Sequence, residues 1–224
     1  MSVIKVYNYT GTCASATLSG IDARCDVSFG GIKRILIGNR DLFDIGFSDV
    51  HYEVPGTLVK MITKIEPKPE YTTQSPKFVQ FLFRRGTGSY TSTVAPDIAI
   101  GNSFATTEVT LQFSRAEAGK RLAIQSLINT GDACVIIEDM YGKYLFLGLD
   151  QNVIVTNAVM QSGTAQTDLS GFTLTLQDVS LELPFFINAA ANEATDLYVD
   201  INSLTAPIEP PLTESGIQDP DMTT

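Results

Sequence analysis

The segment Glu108-Val-Thr-Leu-Gln-Phe113 and the segment Phe172-Thr-Leu-Thr-Leu-Gln177 decide the fold class of this chain. In both, apolar side chains alternate with polar ones, which is the pattern of a strand with one buried face and one wet face. In the second segment the alternation slips by one residue at Asp178 and resumes at Val179. An uncorrected slip would turn the later apolar residues to solvent, so the sequence predicts a bulge or tight bend there.

Other segments extend the β pattern in both directions. Ile32–Ile37 and Phe78–Phe83 are short apolar runs, and they predict more deeply buried strands. Cys134–Ile137 and Tyr144–Leu147 predict a hairpin whose turn contains Gly142. Between residues 66 and 77 three prolines forbid a central strand, which predicts a long loop or the tip of a splayed hairpin.

One helix is expected. Ser114-Arg-Ala-Glu117 has the spacing of a capping box, in which the serine hydroxyl and the glutamate satisfy backbone N–H groups. A glycine at position 131 supplies a C-cap. The pattern predicts a helix over Ser114–Asn129 that packs on a sheet through Leu122, Leu127 and Ile128. A separate turn of helix is predicted over Ala190–Thr195.

The charge of the 224-residue chain is acidic and unevenly distributed. There are 15 Lys and Arg against 25 Asp and Glu, for a formal charge of −10. All of the cations lie in residues 1–143, whereas residues 144–224 hold 11 acidic residues and no basic one. A protein that binds nucleic acid through its phosphates needs a surplus of cations, so the composition argues strongly against that class.

The N-terminal sequence lacks the basic stretch and apolar region of a secretory signal, and no run approaches the ~20 apolar residues of a membrane span. We therefore expect synthesis and assembly in the cytosol. In that reducing compartment Cys13, Cys25 and Cys134 are expected to be free thiols, with a Cys13–Cys25 disulfide as the alternative under oxidising conditions.

Residues 189–224 are acidic and become rich in proline from Pro207 onward, which predicts an extended C-terminal arm. Two states of the arm remain open: a free, solvated tail, or a segment ordered against a neighbouring subunit. In the second case its apolar residues would anchor it, and its acids would meet lysines near the long loop. The anchors would be Leu197, Val199, Ile201 and Leu204, and the lysines Lys60, Lys64, Lys68 or Lys77.

Residues suited to catalysis or metal binding are few. His51 is the only histidine, so a nucleophilic pair would have to combine it with Ser48 or a cysteine, and no serine lies in a GxSxG motif. The glycine-rich Arg84–Ser89 segment lacks the ending of a P-loop and predicts a turn. Adjacent Glu138 and Asp139 are expected on a solvated turn. We predict no enzyme activity and no catalytic, cofactor-binding or metal-binding residue.

An ordered set of segments resembles a known family. These segments are Gly30-Gly-Ile-Lys-Arg-Ile, Glu108-Val-Thr-Leu-Gln-Phe-Ser-Arg with Lys120-Arg-Leu-Ala-Ile-Gln-Ser-Leu, Val135-Ile-Ile-Glu-Asp-Met-Tyr-Gly-Lys-Tyr-Leu-Phe-Leu-Gly, Ser162-Gly-Thr-Ala and Ser170-Gly-Phe-Thr-Leu-Thr-Leu. Over residues 28–187 their order and spacing are similar to those of tail-tube-type proteins of tailed bacteriophages, especially Bacteroidetes and crAss-like phages.

The resemblance implies a β-sandwich or half-barrel with one flanking helix, made of an N-terminal arm (1–27), a tail-tube-like β domain (28–188) and the acidic C-terminal arm (189–224). It also implies homo-oligomeric rings in the virion tail, assembled in the host cytoplasm, that contact tail, neck or portal-associated proteins. DNA would pass through the lumen without specific binding, and no membrane would be involved. The loop over residues 66–77 and the C-terminal arm are the candidates for contacts with a next ring. Whether the rings repeat along a tube or form one specialised ring stays open.

Two other classes remain open. A monomeric β-sandwich binding module or head-decoration protein is the main alternative; such modules often use exposed aromatic platforms, and this chain has eight tyrosines but no tryptophan. A hydrolase that uses His51 is the third. Light scattering separates the first two classes, because it distinguishes large rings or tubes from a 24.3 kDa monomer.

Overall fold

The computed structural model describes residues 30–51, 58–71, 75–84, 86–97, 102–164, 169–189 and 199–207. The strands are β1 (Ile32–Asn39), β2 (Phe43–His51), β3 (Leu58–Pro67), β4 (Val79–Phe81), β5 (Ser89–Asp97), β6 (Asn102–Ser114), β7 (Ala133–Asp139), β8 (Tyr144–Leu147), β9 (Ile154–Gln161), β10 (Gly171–Ser180) and β11 (Phe185–Ile187). The helices are α1 (Ala118–Thr130) and the four-residue α2 (Ile201–Leu204).

The strands form two sheets. One has seven strands in the order β2-β3-β11-β8-β7-β1-β4, and the other has four in the order β5-β6-β10-β9. All neighbours are antiparallel except β11 and β3, which run parallel. The expected mainly-β sandwich with one flanking helix is confirmed.

The first hydrophobic core lies between the two sheets. Leu111 of β6 and Leu174 of β10, which the alternation predicted to be buried, are fully buried there against β1 and β7. The predicted hairpin is confirmed as β7 and β8, and Gly142 has the positive φ of 77° that the turn requires. Burial of these side chains holds the four-stranded sheet against the larger one.

A second core lies on the opposite face of the seven-stranded sheet. Successive residues of β1 and β7 face opposite ways: Ile35 and Val135 belong to the first core, Leu36 and Ile136 to the second. Burial on both faces explains why Ile35–Ile37 of β1 and Ala133–Ile137 of β7 are uninterrupted apolar runs rather than alternating ones. Phe78 is also fully buried, but the rest of its predicted strand is not. β4 is a three-residue edge strand, and Val79 is 53% exposed.

The C-terminal part of the chain closes the second core. Val199, Ile201 and Leu204 are at most 9% exposed and pack within it. They were expected to anchor an arm to a neighbouring subunit; instead they are buried in their own chain, and Leu197 lies outside the described residues. Asp200 caps α2 by accepting hydrogen bonds from the N–H groups of residues 202 and 203. The predicted helical turn over Ala190–Thr195 also lies outside the described residues.

The predicted slip at Asp178 is wrong. β10 pairs with β6 in continuous register from Gly171 to Ser180, so the alternation runs on and the side chains of Asp178 and Ser180 point inward. Leu181 and Leu183 follow the end of the strand and are 61% and 52% exposed. β10 therefore keeps regular strand geometry, and two polar side chains, those of Asp178 and Ser180, lie on its buried face.

The helix is confirmed, but its start and its packing face differ from the prediction. Ser114 is the last residue of β6 and pairs with Gly171, so it cannot act as a cap; α1 begins after Glu117, which makes no side-chain capping bond. Gly131 ends the helix in the left-handed conformation, as predicted. Ile124 is buried and Leu127 packs beside it, whereas Leu122 is 68% exposed and Ile128 is 42% exposed.

Candidate functional site: the edges and outer face of the four-stranded sheet

The four-stranded sheet has an open edge at each side. Among the described residues β9 pairs only with β10, and β5 pairs only with β6. An open edge presents N–H and C=O groups that can accept a strand from another chain. Native proteins usually protect such an edge with charged residues, prolines or bulges.

The β9 edge has little of this protection. Its eight residues, Ile-Val-Thr-Asn-Ala-Val-Met-Gln, contain no charge and no proline. All but one are exposed, including Ile154 (49%), Val159 (39%) and Met160 (63%). One register shift, at Thr175/Leu176 of the partner strand, is the only irregularity in its pairing with β10. The strand is thus long, apolar and accessible, which suits pairing with another chain.

Where β6 pairs with β10, the outer face of this sheet is polar, and Ile154 and Val159 of β9 add apolar side chains at its edge; the face contains no cation. Cross-strand pairs on that face join Thr173 to Gln112, Thr175 to Thr110, and Gln177 to Glu108. None of the residues of β5, β6, β9 and β10 is a lysine or arginine. Their only charged residues are acidic: Asp97, Glu108 and Asp178, the last of which faces the core. The outer face therefore offers a phosphate group neutral hydrogen-bond donors but no positive charge.

Asp178 is the most unusual ionisable group in the described part of the chain. It is 2% exposed, and its Oδ1 has no hydrogen-bond partner there. Burial raises the pKa of this carboxyl to about 6, and Asp150 adds to the increase, while a backbone hydrogen bond from Gly148 opposes it. It lines a cavity of about 180 Å³ together with Lys60, whose ammonium lies over the rings of Phe47 and Phe185.

Replacement of the Asp178 carboxyl by an amide measures how much the buried charge destabilises the fold. A pKa of about 6 instead of 3.8 means that the folded chain holds its proton more tightly, so stability falls as pH rises from about 4 to 6. That loss amounts to about 3 kcal/mol at neutral pH. We expect Asp178→Asn to raise the free energy of unfolding by about 1–3 kcal/mol at pH 7 and to change it little near pH 4. Urea unfolding at both values measures this, and a variant less stable than the parent at pH 7 would contradict it.

Glu138 does not lie on a solvated turn as expected. It is 5% exposed at the end of β7, where its carboxylate accepts hydrogen bonds from the Lys33 ammonium and from Arg34 Nε (2.8 Å). Burial by itself raises the pKa of Glu138, but the Lys33 hydrogen bond and the two positive charges outweigh it and lower the pKa. Arg34 also donates to the Tyr144 hydroxyl (3.0 Å). The pairing ties β1 to the β7–β8 hairpin, which gives Glu138 a structural role.

The other residues considered for chemistry do not converge. Cys134 is buried, and burial raises the pKa of its thiol to about 12, so it is not a thiolate nucleophile at neutral pH. The hydroxyl of Ser48 accepts a hydrogen bond from Thr63 (3.2 Å). Cys13, Cys25 and the His51 side chain lie outside what the structure describes. The described residues contain no group of three or more His, Cys, Asp or Glu suited to a metal ion.

The glycine-rich segment after Phe83 forms the predicted turn. The backbone N–H of Thr87 donates to the carbonyl of Arg84 (3.2 Å), its hydroxyl donates to the same oxygen (2.6 Å), and Gly86 has a φ of 77°.

In the part of the chain that the structure covers, no helix is both long and apolar enough to cross a membrane.

Comparisons of this chain with protein-family models, curated proteins and solved structures returned no match.

Proposed function

We propose that this chain is a structural, non-enzymatic subunit that assembles edge to edge into a ring, and that the ring is part of a bacteriophage tail. The accessible, uncharged β9 edge carries this proposal. A second copy supplies the strand that covers it, because main-chain hydrogen bonds and apolar side chains are both available there.

The two open edges give the assembly its form. β9 and β5 are different strands at opposite sides of one sheet. If β9 of one copy pairs with β5 of the next, the contact is head-to-tail, and such contacts close into a ring when the rotation allows it. The four-stranded sheets of all copies then form one continuous wall. One face of this wall packs on the hydrophobic cores, and the other face lines the open lumen.

The chemistry of the outer face suits a conduit for DNA. A wall that carried lysine or arginine would hold the phosphates and slow the passage of the duplex. The outer rows of threonine and glutamine, with Glu108 as an acidic member, offer phosphates neutral hydrogen-bond donors and no cation. This agreement with the family resemblance is what extends the proposal from a ring to a phage tail.

The test compares an edge variant with a matched control. Lysine at an edge position disfavours strand addition, so we expect Val159→Lys and Met160→Lys to shift the assembled protein toward the 24.3 kDa monomer in multi-angle light scattering. Leu122→Lys adds the same charge at an exposed residue on α1 and should leave the oligomer intact.

Two results would contradict the proposal. One is a parent protein that stays monomeric at all concentrations, which would favour the monomeric binding module. The other is an oligomer that survives both β9 substitutions, which would place the interface elsewhere. Electron microscopy of the parent protein identifies rings or tubes directly.

A further inference from the structure

An apolar groove runs between the edge strand β4 and helix α1. Its cavity measures about 550 Å³, a size typical of ligand-binding sites, and its walls include Val79, Phe81, Leu82, Ala123 and Ile124. Leu82 is 60% exposed and Val79 is 53% exposed. These side chains form a continuous apolar surface that the described residues leave uncovered.

The chain itself leads into this groove. The carbonyl of Leu204 accepts a hydrogen bond from the N–H of Phe78 (2.8 Å), and the N–H of Ala206 donates to the carbonyl of Phe78 (2.7 Å). Thr205 is thereby paired in parallel with Phe78, immediately before β4. Ala206 and Pro207 then line the groove, and residues 208–224 follow.

The hydrogen-bond pattern specifies how this pairing continues. In a strand, the backbone N–H and C=O groups that point to one side recur every second residue. Those of Gln80 therefore point the same way as those of Phe78, while β1 occupies the other side of β4. If the pairing continued, the next bonds in the ladder would join Gln80 N–H to the Ala206 carbonyl and Ile208 N–H to the Gln80 carbonyl. The following donor would be residue 210, which is a proline without an N–H, so the ladder ends there.

The composition of the segment fits the groove. Residues 208–224 include the apolar Ile208, Leu212, Ile217 and Met222, with four acidic residues and no Lys or Arg. Lys120 stands in the wall of the groove; its ammonium pairs with Glu117 (3.1 Å), and its 34% exposed side chain supplies a positive charge among the groove residues. Pro210 and Pro211 keep the chain extended, which lowers the entropy lost on docking.

We propose that residues 208–224 dock in the groove of their own chain, continuing the parallel pairing along β4 as far as Ile208 and covering Val79 and Leu82 with apolar side chains. The segment protects the β4 edge, which leaves β2, β5 and β9 as the unpaired edge strands among the described residues. This inference does not depend on ring formation, because the docked segment belongs to the same chain.

Amide hydrogen exchange of the full-length protein tests the inference. We expect the Ile208 amide to exchange at least roughly tenfold more slowly than in an isolated 205–224 peptide, because a hydrogen bond must open first. Ala123→Asp places a carboxylate in the groove, and Leu82→Asp does so from its other wall; each should remove this protection. Leu122→Asp, on the same helix but outside the groove, is the matched control and should leave it unchanged.

Three results would overturn the inference. The first is peptide-like exchange of Ile208 in the parent protein. The second is protection that survives both groove variants while their thermal unfolding shows that they are folded. The third is protection that falls on dilution, which would show that the groove holds the C-terminal segment of a second copy.

Discussion

Gly171→Ala is expected to destabilise the protein by about 3–5 kcal/mol, because overpacking and backbone strain act together at this residue. Gly171 begins β10, has a φ of 157°, and pairs with Ser114 at the end of β6. A Cβ atom built there would lie 1.9 Å from the carbonyl oxygen of Phe113. That oxygen belongs to the backbone of the neighbouring strand, so no rotamer change relieves the overlap and the two central strands of the sheet must separate.

Gly119→Ala is the matched control for this substitution. Gly119 lies in the first turn of α1, and a Cβ atom there meets nothing within 4 Å. Alanine favours a helix over glycine by up to about 1 kcal/mol, so this variant should be slightly more stable than the parent. Denaturant unfolding of the two variants gives the comparison. Equal stability of the Gly171→Ala variant and the parent would show that the paired ends of β6 and β10 are mobile enough to accept a side chain.

Local alternation was sufficient to predict the strands at the centre of the fold. Burial in β6 and in the first half of β10 follows the order of apolar residues directly, since a period of two separates the faces of a strand. The deep burial of β1 was also predicted, from the apolar run Ile32–Ile37. These features depend on residues that are adjacent in sequence, which is why the sequence predicts them.

The errors arose where a distant contact outweighs the local pattern. Ser114 has the spacing of a helix cap, but pairing with Gly171 keeps it in β6. Leu122 has helical spacing, but α1 turns Ile124 toward the core instead. Asp178 is polar, yet the register of β10 with β6 is maintained over ten residues and forces it inside. For Ser114 and Asp178 the position of a strand partner decides, and that partner lies far away in the sequence.

The candidate site was predicted as a kind of surface and not as particular residues. Homo-oligomeric rings were expected, but which strands form open edges depends on the order of the sheet, and that order comes from pairing between distant segments. One local signal was available for β9: Ile154–Gln161 is an eight-residue run of strand formers and polar residues without a charge or proline. Charge patterning therefore identifies a strand suited to an open edge, whereas its place in the sheet requires the structure.

Truncation of the chain after Tyr198 is expected to abolish cooperative folding. It removes Val199, Ile201 and Leu204 from the second core. At about 1.5–3 kcal/mol for each buried side chain, this loss amounts to about 5–9 kcal/mol. A typical domain is stable by only about 5–15 kcal/mol. The truncation also uncovers Phe78, because the carbonyl of Leu204 and the N–H of Ala206 bond to its backbone. The C-terminal segment through Ala206 thus belongs to the β fold, although its composition resembles that of an arm.

Truncation after Pro207 separates this effect from the loss of the acidic terminus. That variant keeps the second core and both backbone bonds to Phe78, so it should unfold cooperatively, whereas the chain ending at Tyr198 should show no cooperative transition. Circular dichroism during heating compares the two chains, and binding of a hydrophobic dye reports an exposed core. Equal Tm values for the two truncated chains would show that Val199, Ile201 and Leu204 contribute little, and that the seven-stranded sheet is stable with its second face open to solvent.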